Sequence, residues 1–335
     1  MAERLAVFIA EQEAVDRDLV TVSPPRRLAG GASRLLWSLD AEIEGRRLDL
    51  VLRQDPPARS TPGAMELEFE LLRAAAEQGV PVPAVHWCSP DGEVLGSPFF
   101  AMDRVAGEAI ARRLLRDDRY AGARKSMTGQ LGEILARLHR IDPEAPALAG
   151  RLAAPPEGTS PAVAEIDRVT QGVRGFAVEP HPVLDLAERW LRARAPEPPR
   201  LGFVHGDYRI GNVLFDENGT RAILDWELAH IGDPVEDLGW LCVRAWRFGS
   251  DELAVGGIGT REELVRAYEG AGGDPVDPDA LCFWEACGNY KLALVFITQA
   301  RAFLDGAHAT VELASLGRRT AEAEDELLRL MEGEG

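Results

Sequence analysis

Three oxygen-bearing side chains stand out by type and spacing: Asp207, Asn212 and Asp225. They lie in Phe203-Val204-His205-Gly206-Asp207-Tyr208-Arg209-Ile210-Gly211-Asn212-Val213-Leu214-Phe215 and in Ile223-Leu224-Asp225-Trp226-Glu227. Between the two runs, Asp216-Glu217-Asn218-Gly219 reads as the turn of a β-hairpin. If Asn218-Gly219 is a two-residue turn, Glu217 pairs with Thr220 and Asn212 lies opposite Asp225. If all four residues form the loop, the two become diagonal neighbours on one face, roughly 7 to 8 Å apart. In either register an amide oxygen and a carboxylate converge. Two hard oxygen donors with few further ligands nearby in sequence suit Mg²⁺, which keeps waters and completes its octahedron with substrate phosphates. Asp207, on the loop entering the hairpin, is where a base for an incoming hydroxyl would be needed.

The elements that must position these residues follow from periodicity. Leu5, Ala6, Phe8, Ile9 and Val15 among charges predict an amphipathic helix over 2–18, broken by Ser23-Pro24-Pro25. Gly30-Gly31-Ala32-Ser33 leads into alternation at 35–39 and then at 48–53, a glycine-led hairpin. A helix follows from Pro62 to about Gln78, where Gly79 stops it, then strand-like runs at 84–87 and 98–102. Beyond Met102 helical periodicity dominates, at 118–140, 182–195, 235–247, 260–271, 278–304 and 308–331. One hairpin at 211–226 interrupts it, and the Pro-, Gly- and Ala-rich 142–180 reads as a loop and short-helix insertion. The expected architecture is α+β: a small strand-rich N-terminal lobe, residues 1–102, and a larger helical lobe, 103–335, with the ligand site between them.

Composition narrows the partners. The 335 residues carry 37 Lys and Arg against 55 Asp and Glu, a formal charge of -18, which argues against nucleic acid as a ligand. There is no uninterrupted apolar run of the ~18 residues a membrane span needs, and Glu3, Arg4, Glu11, Glu13 and Asp16 leave no signal-peptide core. A cytosolic, cytoplasmic protein is expected. Cys88, Cys242, Cys282 and Cys287 have neither zinc-site nor disulfide-framework spacing, and His86, His139, His181, His230 and His308 form no metal-spaced cluster. Lys125 and Lys291 are the only lysines.

His-x-Asp, four residues, Asn, and a hairpin ending in Asp resembles the catalytic loop and metal-binding Asp of the protein-kinase-like phosphotransferases. The wording His205-Gly206-Asp207 with Ile223 to Glu227 is similar to the aminoglycoside phosphotransferase family, which includes antibiotic, choline and homoserine kinases. Gly206-Asp207-Tyr208-Arg209 to Asn212, Asp225 to Ala229, Gly232-Asp233-Pro234 and Asp237-Leu238 most resemble the branch of kinase-like domains fused to some acyl-CoA dehydrogenases. The similarity spans about residues 25–300.

The resemblance implies a bilobal protein-kinase-like fold using ATP and Mg²⁺. It makes Asp207 the catalytic base and Asn212 and Asp225 the metal ligands, with Gly30, Gly31, Ala32 and Ser33 over the ATP phosphates. Arg53 takes the place of the nucleotide-anchoring lysine, Glu68 that of its helix partner, and Phe99-Phe100-Ala101-Met102 that of the hinge whose backbone bonds adenine. An arginine there keeps the charge but, being longer and planar, changes the phosphate geometry. His205 is expected to hold the loop, Arg209 to support it, and Asp237 to bond its backbone from a following helix. Glu227, Asp233 and Glu236 add negative charge that would favour a cationic acceptor, although acids at helix starts are commonly just solvated. The expected activity is transfer of the ATP γ-phosphoryl group to a hydroxyl of a small molecule. The rivals are a nucleotide-binding pseudokinase scaffold and, within enzymes, an antibiotic kinase; oligomeric state stays open.

Overall fold

The computed structural model describes residues 1–28, 34–56, 61–173, 179–306 and 310–333. The chain forms two compact units, one of residues 1–107, 144–151 and 221–227, the other of 108–143, 152–220 and 228–335.

The first unit holds α1 (Ala2–Glu13), β1 (Val20–Val22), β2 (Arg26–Arg27), β3 (Leu35–Ile43), β4 (Arg46–Gln54), α2 (Ala64–Glu77), β5 (Val85–Ser89) and β6 (Phe99–Asp103). Its sheet runs β1-β3-β4-β6-β5, with β2 also pairing β3. Glu44 and Gly45 both take positive φ, 50° and 83°, which is what a two-residue turn between β3 and β4 demands. Leu5, Phe8 and Ile9 recur on one face of α1 and pack with Leu39, Leu50, Leu52 and Phe99 from the sheet. The rings of Phe8 and Phe99 meet edge to face, 5.4 Å between centroids.

The second unit is built on α3 (Ala111–Arg116), α4 (Ala121–Leu138), α5 (Pro161–Val173), α6 (Pro182–Arg194), α7 (Val235–Cys242), α8 (Arg261–Gly270), α9 (Pro278–Leu304) and α10 (Val311–Glu332). Two short antiparallel pairs join them: β7 (Gly202–Val204) with β10 (His230–Gly232), and β8 (Val213–Asp216) with β9 (Gly219–Ile223), whose last residues belong to the first unit. Ile166, Leu184, Leu191, Phe283, Trp284 and Leu327 share its core. By length and hydropathy α9 would pass for a membrane span, but 89% of its apolar window is buried within the protein. Glycines let helices approach closely here: a Cβ on Gly132 would lie 2.6 Å from the Leu264 carbonyl oxygen, and one on Gly239 2.6 Å from the Cβ of Trp284.

Several boundaries differ from the sequence reading. The helix expected over 118–140 is a 3₁₀ turn, Asp118–Tyr120, followed by α4, and the one expected over 235–247 stops at Cys242 before a second 3₁₀ turn. The 142–180 insertion contains the thirteen-residue α5. The hairpin turn is Glu217-Asn218, neither the Asn218-Gly219 pair nor the four-residue loop. A tertiary clamp decides this: Gln130 of α4 donates from Nε2 to the Asn218 carbonyl (3.2 Å) and accepts the Thr220 N–H (2.8 Å).

Candidate active site

The loop 205–209 leaves β7 and is fixed from below by α7. Both oxygens of the fully buried Asp237 carboxylate accept loop N–H groups, from His205 at 2.8 Å and Gly206 at 2.9 Å. Oδ2, the oxygen that accepts from His205, also meets His139 Nε2 at 3.2 Å, and Tyr268 fixes the other side of that ring at 3.0 Å. Burial works against the charge on Asp237, but His139 and the loop donors hold its carboxyl below the ordinary range. Gly206 has φ 79°, and a Cβ there would sit 2.4 Å from the Leu228 carbonyl oxygen, so no other residue fits. His205 Nδ1 accepts the Asp207 N–H at 3.3 Å, which ties the loop to itself.

Asp207 is held by three side chains. Trp240 Nε1 donates to Oδ1 at 2.8 Å, Arg209 Nε reaches both oxygens at 3.0 and 3.2 Å, and Asn212 Nδ2 donates to Oδ2 at 2.6 Å. Asn212 Nδ2 also donates to the Asp207 carbonyl at 3.0 Å. The amide hydrogens of Asn212 are thus spent on Asp207, and its oxygen, the hard donor, has no hydrogen-bond partner among the described residues.

Behind Trp240 lies a chain of charges. The Lys291 ammonium sits 4.8 Å from the indole ring centroid and pairs with Glu165 at 3.0 Å and Glu236 at 3.7 Å. Arg168 grips Glu165 through two 2.6 Å bonds, and His230 Nε2 meets Glu236 at 3.2 Å. Against the cost of burial, Lys291 and Arg168 hold Glu165 down at about 2. Likewise Glu236 pushes His230 up to about 9 although burial opposes its charge. Asp233 accepts from Trp284 Nε1 at 2.7 Å and from the Val235 N–H at 3.0 Å.

In the first unit, Arg53 of β4 pairs with Glu68 of α2 at 2.9 Å, with Asp225 at 3.2 Å and with Glu227 at 3.8 Å. Burial pushes the Glu68 carboxyl up to about 7, with Arg53 and Arg34 pulling the other way. Arg53 is held above its ordinary range by Glu68, Asp225 and Glu227 despite its own burial. Arg34 pairs with the fully buried Asp55. Asp225 takes φ 67°, a left-handed conformation rare outside glycine and costly unless its surroundings enforce it. Gly30, Gly31, Ala32 and Ser33 lie outside the described residues.

Phe100, Ala101 and Met102 need a correction. They sit in β6, paired on one side with Arg53, Leu52 and Val51 of β4 and flanked on the other by β5. Their backbone groups serve the sheet, so an adenine contact from this strand would have to come after it, from 104–107. Trp240, Trp246 and Lys291 were not singled out as site residues by the sequence. Trp240 carried a readable signal, since it follows Asp237 by three positions on one helix and so shares its face.

Among the described residues no three His, Cys, Asp or Glu side chains converge as a metal cage. Asn212 and Asp225 fit a hard cation by donor chemistry, one as an amide oxygen without a partner and one as a carboxylate.

The chain is 28% identical over 302 residues to acyl-CoA dehydrogenase family member 10 of Mus musculus, covering 84% of this chain and 26% of that protein. It spans between 24% and 37% of the length of seven such curated relatives, each described as an acyl-CoA dehydrogenase or a member of that family. A candidate aminoglycoside phosphotransferase from Ralstonia eutropha JMP134 superposes with a TM-score of 0.79 at 23% identity, covering 99% of this chain and 98% of that one. A thermostable mutant of aminoglycoside phosphotransferase APH(4)-Ia, solved with AMP-PNP and hygromycin B, gives 0.60 at 17% identity, with 97% and 98% covered. These structural likenesses show the kinase-like α+β fold. The model of the phosphotransferase enzyme family APH matches residues 25–282, a range that includes Arg53, Asp207, Asn212, Asp225 and Asp237, and the chain belongs to that family.

Proposed function

We propose that the protein transfers the γ-phosphoryl group of ATP to a hydroxyl of a small molecule, with Asp207 as base. The observation that carries this reading is the setting of Asp207: three donors fix its carboxylate while the loop beneath is pinned to Asp237. A group so placed accepts the proton as the alcohol oxygen bonds to the γ-phosphorus and the bond to the β,γ-bridging oxygen breaks, releasing ADP. Catalysis then rests on position and electrostatics rather than covalent intermediates. Asn212 and Asp225 would hold Mg²⁺, whose contribution when bound is to neutralise phosphate charge. With so few protein ligands, the phosphates and water must supply the rest of its shell. Residues 1–102 would serve as the nucleotide-binding lobe, with Gly30 to Ser33 over the phosphates, Arg53 on Glu68 as their anchor, and 104–107 toward adenine. Residues 103–335 would carry the catalytic loop and the acceptor. The nucleotide analogue bound by the APH(4)-Ia mutant supports ATP as donor.

The test is Asp207→Ala. Phosphoryl transfer should fall about 10²- to 10⁴-fold while stabilisation by ATP with Mg²⁺ persists. Unchanged product yield would remove Asp207 from the role of base.

A further inference from the structure

We infer that the phosphoryl acceptor carries a negative charge, which Arg209 binds beside the reacting hydroxyl; this rests on the phosphotransferase reading above. Arg209 commits only Nε to Asp207, at 3.0 and 3.2 Å. Its two terminal nitrogens have no hydrogen-bond partner among the described residues, and the side chain stays 26% exposed. The guanidinium is laid on the Trp246 ring, 4.7 Å from carbon Cζ to the centroid, which fixes its plane without using its donors. Gly211 makes room for it: a Cβ there would lie 2.2 Å from Nη1. A planar fork with open donors, fixed against the base, is built for a carboxylate or phosphate on the acceptor.

The acids that would favour a cationic acceptor within this unit are already engaged. Asp233 takes the Trp284 indole N–H, and Glu236 lies between His230 and Lys291. Following the contacts outward from Asp207, Lys291 is paired with Glu165 and Glu236, and Arg168 with Glu165, whereas the terminal nitrogens of Arg209 stay open.

The experiment compares transfer from Mg·ATP to ω-hydroxy acids, α,ω-diols and ω-amino alcohols of matched length, three to eight carbons, with hygromycin B as a polycation. Wild-type kcat/KM should favour the hydroxy acids over the matched diols by about 10- to 100-fold, and over the amino alcohols by more. Arg209→Gln should erase that ratio whatever it does to the absolute rates, and Arg209→Lys should restore part of it. Equal use of acids and diols, or preference for the amino alcohols or hygromycin B, overturns the anionic acceptor while leaving the phosphotransferase reading intact. So does an Arg209→Gln enzyme that is slower toward all acceptors by one factor, which would place Arg209 on the nucleotide phosphates instead. Transfer to no acceptor by a protein that ATP and Mg²⁺ stabilise overturns both.

Discussion

A carboxylate that takes a proton from an alcohol must be held still without being covered. The proposed base, Asp207, has its donors at its edges, and the Trp240 indole is the one with no other duty at the loop. A hydrogen bond to a charged group is worth about 1.5–3 kcal/mol. Trp240→Phe keeps the ring that Lys291 packs on and deletes only the N–H. We expect kcat to fall roughly tenfold or more, with unchanged stabilisation by ATP and Mg²⁺, measured by steady-state kinetics beside thermal melts. Unaltered kcat would show that the indole merely fills space. At this scale the sequence was informative where spacing implies proximity, as from Asp207 to Asn212, and the family resemblance supplied the pairing of Arg53 with Glu68. It was silent on Trp246 and Lys291, because their contacts join segments far apart in the chain.

Elements place these residues through buried ion pairs as well as apolar packing. Lys291 of α9 ties α5, through Glu165, to α7, through Glu236, and His230 of β10 closes the chain. His230 has its folded pKa raised from 6.5 to about 9, so its contribution to stability is complete below pH 6.5. It declines as pH rises and is gone above the folded value, a loss on the order of 3 kcal/mol. Denaturant midpoints taken at pH 6, 7.5 and 9.5 should fall across that range in the wild type and lack this component in His230→Gln. Identical profiles would mean that the His230–Glu236 pair adds nothing. Helix existence was legible from periodicity, and so was α1's buried face. The hairpin turn was not, because Gln130, some ninety positions away, sets it against a strong local Asn-Gly signal. Nor was the internal place of Phe100 and Ala101, since strand order decides which strand has neighbours on both sides.

For the whole molecule, the α+β fold and the phosphotransferase family were readable because the catalytic-loop motif and the change from strand to helix texture point the same way. The acceptor was not, since fold fixes the chemistry a site can host and not its substrate. The curated relatives carry the matched region within much longer chains, in which a dehydrogenase accompanies it by name. The central claim, that this chain assembles a nucleotide site with a divalent cation, is tested most directly by its thermal midpoint with ATP, with Mg²⁺ and with both. Ligand at ~100 times its dissociation constant adds about 2.7 kcal/mol, or several degrees. The account predicts that shift only when ATP and Mg²⁺ are present together; no shift with both at millimolar concentration would contradict it.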